Sequence, residues 1–367
     1  MTPHTPDPLD LFGIDYVELY VSNARQAAHF YRSTLGLTPV AYAGLETGLR
    51  DRTSYVLQRR NVRFLLTAPN LPGHPIGDHV ARHGDGVRDI ALRVRDAAAA
   101  YRAALSNGAT GVLGPTASED AHGSVVKATI AAYGDTVHSF IERDGYDGPF
   151  MPGFRAISER PPVPETGIAA IDHIVGNVDL GYMEQWVGYY RDVLGFKQMV
   201  HFDDKDISTE YSALMSKVMQ NGSGKIKFPI NEPAEGRKKS QIAEFLEYYG
   251  GPGAQHIALS TGDICATVDA LRAAGIPFNN VPSSYYDDLE GRVGRIDESR
   301  AALQERGILV DRDEEGYLLQ IFSQPLQDRP TLFVEIIQRK GSRGFGKGNF
   351  RALFESIERE QEKRGNL

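Results

Sequence analysis

The sequence predicts an α+β protein made of two homologous domains, and three observations lead to this prediction. Segments typical of a strand followed by a helix recur along the chain, in the same order in each half. A proline-rich stretch separates the two halves. With 367 residues and 41% hydrophobic content, the chain is also long enough for two domains with sizeable cores.

The first repeat covers the strand and the helix that open each half. GIDYVELYVSN at 13–23 aligns with GIAAIDHIVGN at 167–177, and FYRSTLGL at 30–37 resembles YYRDVLGF at 189–196. Each copy is typical of a short apolar strand followed by a helix that ends at glycine. The two halves therefore begin in the same way.

Two further repeats complete the order of elements. Residues 83–109 match residues 249–276 and share the tripeptide IAL, and each copy predicts a strand that leads into an Ala-rich helix. Residues 136–145 and 331–341 each carry the β-branched and aromatic run of a buried strand. Each half thus consists of two strand-helix-strand units.

The stretch between the halves, GPFMPGFRAISERPPVPETG, contains five prolines and has no apolar period. Such a composition is typical of a linker. We predict a first domain over residues 1–147, a linker over 148–166 and a second domain over 167–367.

Composition and charge exclude several classes of function. The chain has 40 basic and 48 acidic residues, a formal net charge of −8 and no basic stripe, so nucleic acid is not expected as a partner. Its single cysteine, Cys265, cannot form an internal disulfide or a cysteine-based zinc site. No export signal or membrane-spanning stretch is evident. We expect a cytoplasmic protein.

The aligned copies differ at three positions in a chemically consistent way: Leu19, Asp89 and Phe140 of the first half correspond to His173, His256 and Glu335 of the second. Two imidazoles and one carboxylate form the set that binds one face of an octahedral Fe(II) and leaves three positions open. The strand alternation of the second half directs these three side chains toward one interior point.

Each of these residues also has a purely structural interpretation. A single histidine on an apolar strand is more often a hydrogen-bonded core residue than a ligand. Glu335, however, lies within the apolar run TLFVEII, where an unpaired carboxylate would cost several kcal/mol. The joint occurrence of the three residues favours a metal site, although zinc uses the same ligand types and spacing does not exclude it.

A series of motifs in the second half runs in a fixed order: IDHIVGNV (171–178), KFPINEP (227–233), KKSQI (238–242), GAQHIAL (253–259), SYYD (284–287), DRDEEGYLLQIF (311–322), DRPTLFVEIIQR (328–339) and GFGKGNF (344–350). Together they resemble the 4-hydroxyphenylpyruvate dioxygenase family of the vicinal oxygen chelate superfamily, and the first half resembles the weaker N-terminal domain of that family. The resemblance implies that each domain consists of paired βαβββ units forming an open barrel, with iron only in the second domain.

The resemblance also implies roles for individual residues. His173, His256 and Glu335 match the Fe(II) ligands, and Gln255 is included with the site, although regular alternation points Gln255 away from the metal. The positions that match substrate contacts are the polar Ser216, Asn231, Gln320 and Asn349 and the aromatic Phe322, Phe333, Phe345 and Phe350.

The reaction implied by the resemblance uses Fe(II), the 2-oxo acid 4-hydroxyphenylpyruvate and O2, and it yields homogentisate and CO2 in tyrosine and phenylalanine catabolism. A homo-oligomer, either a dimer or a tetramer, is also implied. Two alternatives stay open: hydroxymandelate synthase, which uses the same substrate, and a non-catalytic binding protein of the same fold.

Two motifs near the C-terminus have other interpretations. GSRGFGKG (341–348) fits a phosphate-loop spacing but lacks the following Ser or Thr, so we interpret it as a hinge. Phe350, Leu353, Phe354 and Ile357 then predict a helix with one apolar face, which suits a lid over the barrel. We expect the final stretch EREQEKRGNL to be a solvated end. DRDEEG (311–316) lacks the last ligand of a calcium loop and predicts a turn.

Overall fold

The structure is a computed structural model that describes residues 8–202, 213–234 and 238–366, except for the side chains of residues 213, 350 and 351. Within these residues the chain forms two curled sheets, one in each half, and helices pack against both sheets. The two halves have the same order of elements.

The first half contains two units separated by helix α2 (Pro75–His83). The first unit consists of β1 (Gly13–Tyr20), α1 (Ala24–Leu35), β2 (Thr38–Ala43), β3 (Arg52–Arg59) and β4 (Val62–Pro69). The second unit consists of β5 (Gly86–Arg93), α3 (Ala97–Ser106), β6 (Gly111–Asp120), β7 (Gly123–Ala131) and β8 (Val137–Glu142). A short strand, β9 (Arg155–Ala156), then pairs with β2.

The second half repeats this plan around helix α5 (Gln241–Tyr249). Its first unit consists of β10 (Ile168–Asn177), α4 (Met183–Asp192), β11 (Lys197–Phe202), β12 (Ala213–Gln220) and β13 (Lys227–Ala234). Its second unit consists of β14 (Gly253–Thr261), α6 (Ile264–Ala273), the short helices α7 (Leu289–Val293) and α8 (Arg300–Arg306), β15 (Leu309–Arg312), β16 (Tyr317–Phe322) and β17 (Phe333–Lys340). Helix α9 (Phe350–Lys363) follows.

The strand order of the first sheet is β6-β7-β8-β5-β1-β4-β3-β2-β9, and that of the second is β11-β12-β13-β10-β14-β17-β16-β15. In each sheet the two units meet at an antiparallel pair formed by their first strands. The predicted α+β class, with two homologous domains of paired βαβββ units in open barrels, is confirmed. The domain boundaries and the linker stay predictions.

Local sequence signals explain where the helices begin and end. Asn23 and Ser240 cap α1 and α5 by accepting hydrogen bonds from the backbone of the first turn, and Asp263 caps α6 in the same way. Helix α1 ends at Gly36, which has the left-handed conformation that favours glycine. These caps hold the helices that follow β1, β13 and β14.

A single cluster of buried apolar side chains joins the two halves. It extends from Leu19 and Ile90 in the first half to Ile174 and Ile257 in the second. The imidazole of His138 in β8 also lies 2.9 Å from the hydroxyl of Tyr190 in α4. Among the described residues, the helices are too short or too polar to cross a bilayer.

The strand register defines which residues of the two halves are equivalent. Tyr16 lies opposite Ala91, and His173 lies opposite Ala258, with a β-bulge just before each of them. Ala91 and Ala258 are the central residues of the shared tripeptide IAL, so Tyr16 is the equivalent of His173. Two residues before these alanines, Asp89 is the equivalent of His256. By the same register, Phe140 pairs with Leu92 while Ile336 pairs with Leu259, which makes Ser139 the equivalent of Glu335.

Two of the three aligned positions in the sequence analysis were therefore wrong. Leu19 and Phe140 are not the equivalents of His173 and Glu335, although Asp89 is the equivalent of His256. The cause is that an apolar strand matches its repeat in more than one register, while the hydrophobic pattern does not reveal the bulges that fix the register.

Candidate metal centre

Three neighbouring strands, β10, β14 and β17, bring His173, His256 and Glu335 together. His173 and Glu335 flank Ala258 of β14, and His256 precedes Ala258 on the same strand. The Oε2 atom of Glu335 lies 3.1 Å from Nε2 of His173 and 3.3 Å from Nε2 of His256. All three donor atoms lie within 4.8 Å of one another, so a single ion could contact all of them.

Bulged residues orient both histidines. Asp172 and Gln255 are the extra residues of two of the three bulges in the β10–β14 pair. Asp172 Oδ1 lies 2.7 Å from His173 Nδ1, and Gln255 Oε1 lies 3.0 Å from His256 Nδ1. These oxygens accept a hydrogen bond from Nδ1–H, so that Nε2 of each ring is directed at Glu335 and is the atom that can bind a metal ion. The prediction that Gln255 points away was wrong, because a bulge interrupts strand alternation.

The electrostatics of the centre call for a cation. Glu335 is 2% exposed, and its carboxylate lies within hydrogen-bond distance of Nε2 of both imidazoles. Burial raises the pKa of Glu335, but the imidazoles outweigh burial and lower the pKa to about 2. The carboxylate is therefore ionised at neutral pH, and a buried anion of this kind requires a positive partner.

The pKa values of the two imidazoles shift in opposite directions. Burial lowers the pKa of His173, but the charges of Glu335 and Asp172 outweigh burial and raise it. His256 faces the neutral amide of Gln255, and there burial prevails and the pKa is lowered. Two imidazoles whose Nε2 atoms converge on one ionised carboxylate fit a divalent transition metal, in either an iron or a zinc site.

A cavity of about 630 Å³, including its opening to solvent, adjoins the three candidate ligands. Seven of the residues predicted to contact substrate line it: Ser216, Asn231, Gln255, Gln320, Phe322, Phe333 and Phe345. Apolar side chains complete the wall, among them Val175, Phe202, Leu214, Val218 and Pro229. A mostly apolar cavity with a few amides and one hydroxyl is typical of a site for a small aromatic molecule.

Three of the polar groups of the cavity come from strands β12, β13 and β16. Ser216 of β12 lies directly opposite Asn231 of β13, and Gln320 lies on β16. Gly346 allows the chain after β17 to approach Gln320, because a Cβ atom at Gly346 would lie 2.4 Å from Nε2 of that amide. Its φ of 76° also favours glycine.

Two predicted substrate contacts are placed differently. Asn349 is buried, but it is not among the described residues that line the cavity. Its Oδ1 atom accepts a hydrogen bond of 2.6 Å from the hydroxyl of Tyr285, just before α9 begins. The side chain of Phe350 lies outside the described residues. A substrate contact stays a prediction for both.

Helix α9 places Leu353, Phe354 and Ile357 on the cavity, in agreement with the predicted apolar face. The prediction of a solvated end was wrong in part: Arg359 and residues 362–365 are exposed, but Glu358 and Gln361 are buried. Arg364 forms an ion pair of 2.8 Å with Glu244 of α5, and Asn366 donates to the same carboxylate. The polar composition of the tail had suggested solvent exposure, and it does not reveal these contacts with α5.

Sequence analysis also missed Asp172 and Arg339. The carboxylate of Asp172 accepts two hydrogen bonds of 2.8 Å from the guanidinium of Arg339, in addition to its contact with His173. Charged residues that interrupt apolar strands were the signal that could have found them, as they did for Glu335.

The equivalent position of the first barrel is filled by the protein itself. The ammonium of Lys127 lies 3.0 Å from Asp89 and 2.9 Å from the hydroxyl of Tyr16, and Ser139 donates to Asp89 at 2.6 Å. Burial lowers the pKa of Lys127, but Tyr16 and Asp89 outweigh burial and raise it well above the usual value. Lys127 therefore stays charged and supplies the cation of this barrel.

The chain matches known families over both halves. Residues 6–150 match the family described as hydroxyphenylpyruvate dioxygenase, N-terminal, and residues 170–321 match the glyoxalase, bleomycin resistance protein and dioxygenase superfamily. A mutant of 4-hydroxymandelate synthase from Streptomyces coelicolor has a similar solved structure, with a TM-score of 0.85, 32% identity and coverage of 97% of this chain and 100% of that one.

Curated relatives extend the similarity over the whole chain. The 4-hydroxyphenylpyruvate dioxygenase of Yarrowia lipolytica is 47% identical, over 100% of this chain and 98% of its own length. The enzyme of the same name from Caenorhabditis elegans is also 47% identical, over 99% and 95%. On this similarity, and with a two-histidine, one-carboxylate centre in the second barrel, the chain belongs to the 4-hydroxyphenylpyruvate dioxygenase family of the vicinal oxygen chelate fold.

Proposed function

We propose that this chain is an Fe(II)-dependent dioxygenase that converts 4-hydroxyphenylpyruvate and O2 to homogentisate and CO2. The observation that carries the proposal is the buried Glu335 carboxylate, on which the Nε2 atoms of His173 and His256 converge at the edge of an aromatic cavity. The family relationship supplies the substrate.

His173, His256 and Glu335 would hold the metal. A bound Fe(II) would supply open coordination positions for the 2-oxo acid and O2 and the redox chemistry through which the substrate reduces O2. Zinc has no accessible redox chemistry, so the proposed oxidation favours iron over zinc.

The cavity would orient the aromatic ring of the substrate. Phe333 stacks on His256, with ring centroids 4.7 Å apart and an interplanar angle of 21°, so it also holds that ligand in place. Phe322 and Phe345 provide further aromatic surface. Ser216, Asn231 and Gln320 would bind the phenol oxygen, because they supply the hydroxyl and two of the amides of the wall, whereas the amide of Gln255 is already bonded to His256.

Helix α9 would close the site. Leu353, Phe354 and Ile357 present an apolar surface to the cavity, and they exclude water from the reacting groups while the helix is docked. The segment 341–346 acts as the hinge before this lid.

Product analysis tests the proposal directly. Metal-free protein is loaded with either Fe(II) or Zn(II) and supplied with 4-hydroxyphenylpyruvate in air, and the products are separated by chromatography. Homogentisate from the iron-loaded sample alone is the expected result. Turnover with zinc, or no turnover with iron, would contradict the proposal, and binding without turnover would indicate a non-catalytic protein.

The second candidate function is 4-hydroxymandelate synthesis, because the structure of such an enzyme superposes well on this chain. Both reactions would use the same metal ligands and the same substrate. Formation of 4-hydroxymandelate in place of homogentisate would therefore reassign the function without changing the site.

We further propose a cytoplasmic homo-oligomer, a dimer or tetramer, in which residues 148–166 link the two domains. Light scattering after size-exclusion chromatography measures the subunit number. Limited proteolysis tests the linker, where cleavage should separate fragments that correspond to the two barrels.

A further inference from the structure

The carboxylate of Asp172 joins a candidate metal ligand to an arginine. Asp172 is the bulged residue of β10, and its Oδ1 atom contacts both His173 Nδ1, at 2.7 Å, and Arg339 Nη2, at 2.8 Å. Its Oδ2 atom accepts from Arg339 Nε at 2.8 Å. The side chain of Asp172 is 8% exposed, so water competes little for these contacts.

Arg339 continues the connection to the segment that leads into α9. Its Nη1 atom donates to the carbonyl oxygen of Gly344 at 2.6 Å. The guanidinium also lies over the ring of Phe345, 5.3 Å from its centroid, and the edge of that ring meets His173 with centroids 5.0 Å apart. The contacts therefore run from His173 through Asp172, Arg339 and Phe345 and return to His173.

The other side of this segment is anchored independently. The backbone N–H groups of Arg343 and Gly344 donate to Asp313 at 2.9 and 2.7 Å, and the hydroxyl of Ser342 donates to it at 2.5 Å. Asp313 belongs to the turn between β15 and β16, away from the metal ligands. The turn at Asp313 thus holds residues 342–344 on one side. On the other side they are held by Arg339, which is bonded to Asp172 beside the candidate metal centre.

The first barrel contains the same clamp without a metal. Asp15 is the bulged residue of β1, and it lies 2.8 Å from the guanidinium of Arg143, the register equivalent of Arg339. Arg143 donates to the carbonyl of Phe150 at 2.5 Å and lies over its ring, and that ring packs edge-on against Tyr16. In this half the clamp fastens a chain segment to the barrel.

We propose that Asp172 and Arg339 are positioning residues that couple metal binding at His173 to the docking of residues 341–345, and through them to the lid. The clamp is shared by both barrels, but only in the second does it end on a candidate metal ligand. The inference rests on the metal-binding part of the proposed function and not on the substrate.

The coupling has a physical basis in hydrogen bonding and linkage. A metal ion on Nε2 makes the Nδ1–H group of His173 a stronger donor, which strengthens its bond to Asp172 and fixes the carboxylate to which Arg339 is bound. The held guanidinium then keeps the Gly344 carbonyl and the Phe345 ring in place. By linkage, a docked segment must raise metal affinity by the same factor as metal raises docking.

The experiment compares Arg339→Gln with Arg143→Gln in the full-length chain, without substrate. Anaerobic competition with a chromogenic chelator gives the Fe(II) affinity, and amide hydrogen exchange of residues 341–349 and 148–156 is measured with and without Fe(II). Arg143→Gln is the matched control, because it removes the same clamp from the barrel without a metal. Arg339→Lys is the second variant, since it keeps the positive charge if the glutamine variant folds poorly.

In the parent, Fe(II) should slow exchange in residues 341–349. Arg339→Gln should weaken Fe(II) binding roughly 10- to 100-fold and abolish the protection by metal, and Arg339→Lys should lie between it and the parent. Arg143→Gln should speed exchange in residues 148–156 only, with Fe(II) affinity unchanged.

Two results would overturn the inference. In the first, Arg339→Gln or Arg339→Lys keeps both the parent affinity and the protection by metal. In the second, Arg143→Gln lowers Fe(II) affinity as much as Arg339→Gln does, which would mean that any loss of a clamp acts through general loosening. A parent protein that binds no Fe(II) would instead refute the proposed function, and the coupling with it.

Discussion

The two barrels share a strand register, a pair of bulges and an Asp–Arg clamp, yet they satisfy their buried carboxylate in different ways. In the first barrel the ammonium of Lys127 lies beside Asp89. The register equivalent of Lys127 in the second barrel is Gln320, because these two residues pair with the equivalent Ile141 and Ile337. In the first barrel the chain itself supplies the cation. In the second barrel the neutral amide of Gln320 occupies that position, so the Glu335 carboxylate needs an ion from outside the chain.

The largest expected effect comes from removing the carboxylate of the second barrel. Glu335→Ala should weaken Fe(II) binding by more than about 100-fold and abolish turnover, because it removes a proposed ligand and not a supporting group. Ser139→Ala, at the equivalent position of the first barrel, should leave both unchanged. Metal content and product formation measure the difference. Near-normal iron content in Glu335→Ala would refute the assignment of the ligands.

Removing the internal cation should affect the first barrel in stability instead of activity. Lys127→Met leaves Asp89, which is 1% exposed, without its ammonium partner and should lower the free energy of unfolding by up to about 3 kcal/mol. Adding Asp89→Asn should restore part of this loss. Denaturant unfolding followed by hydrogen exchange in each half is the measurement, and a Lys127→Met variant as stable as the parent would contradict the role of Lys127.

The lid distinguishes the second barrel further. Removal of residues 345–367 should weaken iron binding without abolishing it, since all three proposed ligands precede the cut, and the homogentisate formed per O2 consumed should fall severalfold because water reaches the site. A chain that ends at residue 357 is the control: it loses the ion pair between Arg364 and Glu244 but keeps the cavity-lining face. Equal ratios of homogentisate formed to O2 consumed in the parent and in the chain that lacks residues 345–367 would refute the role of α9 as a lid.

The smallest effect concerns acid sensitivity of the first half. Burial, with the charges of His83 and Arg88, lowers the pKa of His79 to about 3, and neither ring nitrogen has a hydrogen-bond partner among the described residues. His79 stays neutral in the folded protein at pH 5 but binds a proton when unfolded, so stability falls as pH decreases below about 6.5.

His79→Leu should remove this contribution. The free energy of unfolding of the parent should fall by up to about 1.4 kcal/mol per pH unit more steeply than that of the variant between about pH 6 and pH 4. The accompanying change in amide hydrogen exchange should be confined to the first half of the chain. Parallel pH profiles for the parent and the variant would show that His79 does not titrate on unfolding.

The sequence was sufficient for the architecture and for the three candidate ligands. The repeats carry the order of elements, and a carboxylate within TLFVEII is conspicuous because apolar strands seldom contain an unpaired charge. The cavity residues Ser216, Asn231 and Gln320 came from the resemblance, since a hydroxyl or an amide on a strand has no distinctive pattern of its own.

Features that depend on tertiary pairing could not be read from the sequence. The bulges explain why the predicted alignment of Leu19 with His173 and the predicted orientation of Gln255 were wrong. They shift the register without changing the hydrophobic pattern. The docking of the C-terminal tail depends on Glu244, which is 120 residues from Arg364 along the chain. Composition alone does not distinguish a solvated polar tail from a docked one, because the difference lies in a partner that is distant along the chain.

The bulges themselves have a consequence for how such a protein can change over generations. Asp15, Arg88, Asp172 and Gln255 are four of the extra residues in the central strand pairs of the two sheets. Because a bulged residue has no partner across the ladder, the sheet does not select its identity. These four positions already hold an anion, a cation, a second anion and a neutral amide, while the strands around them keep one geometry. Each is a place where heritable substitutions can adjust the chemistry of a barrel interior without disturbing the inherited fold.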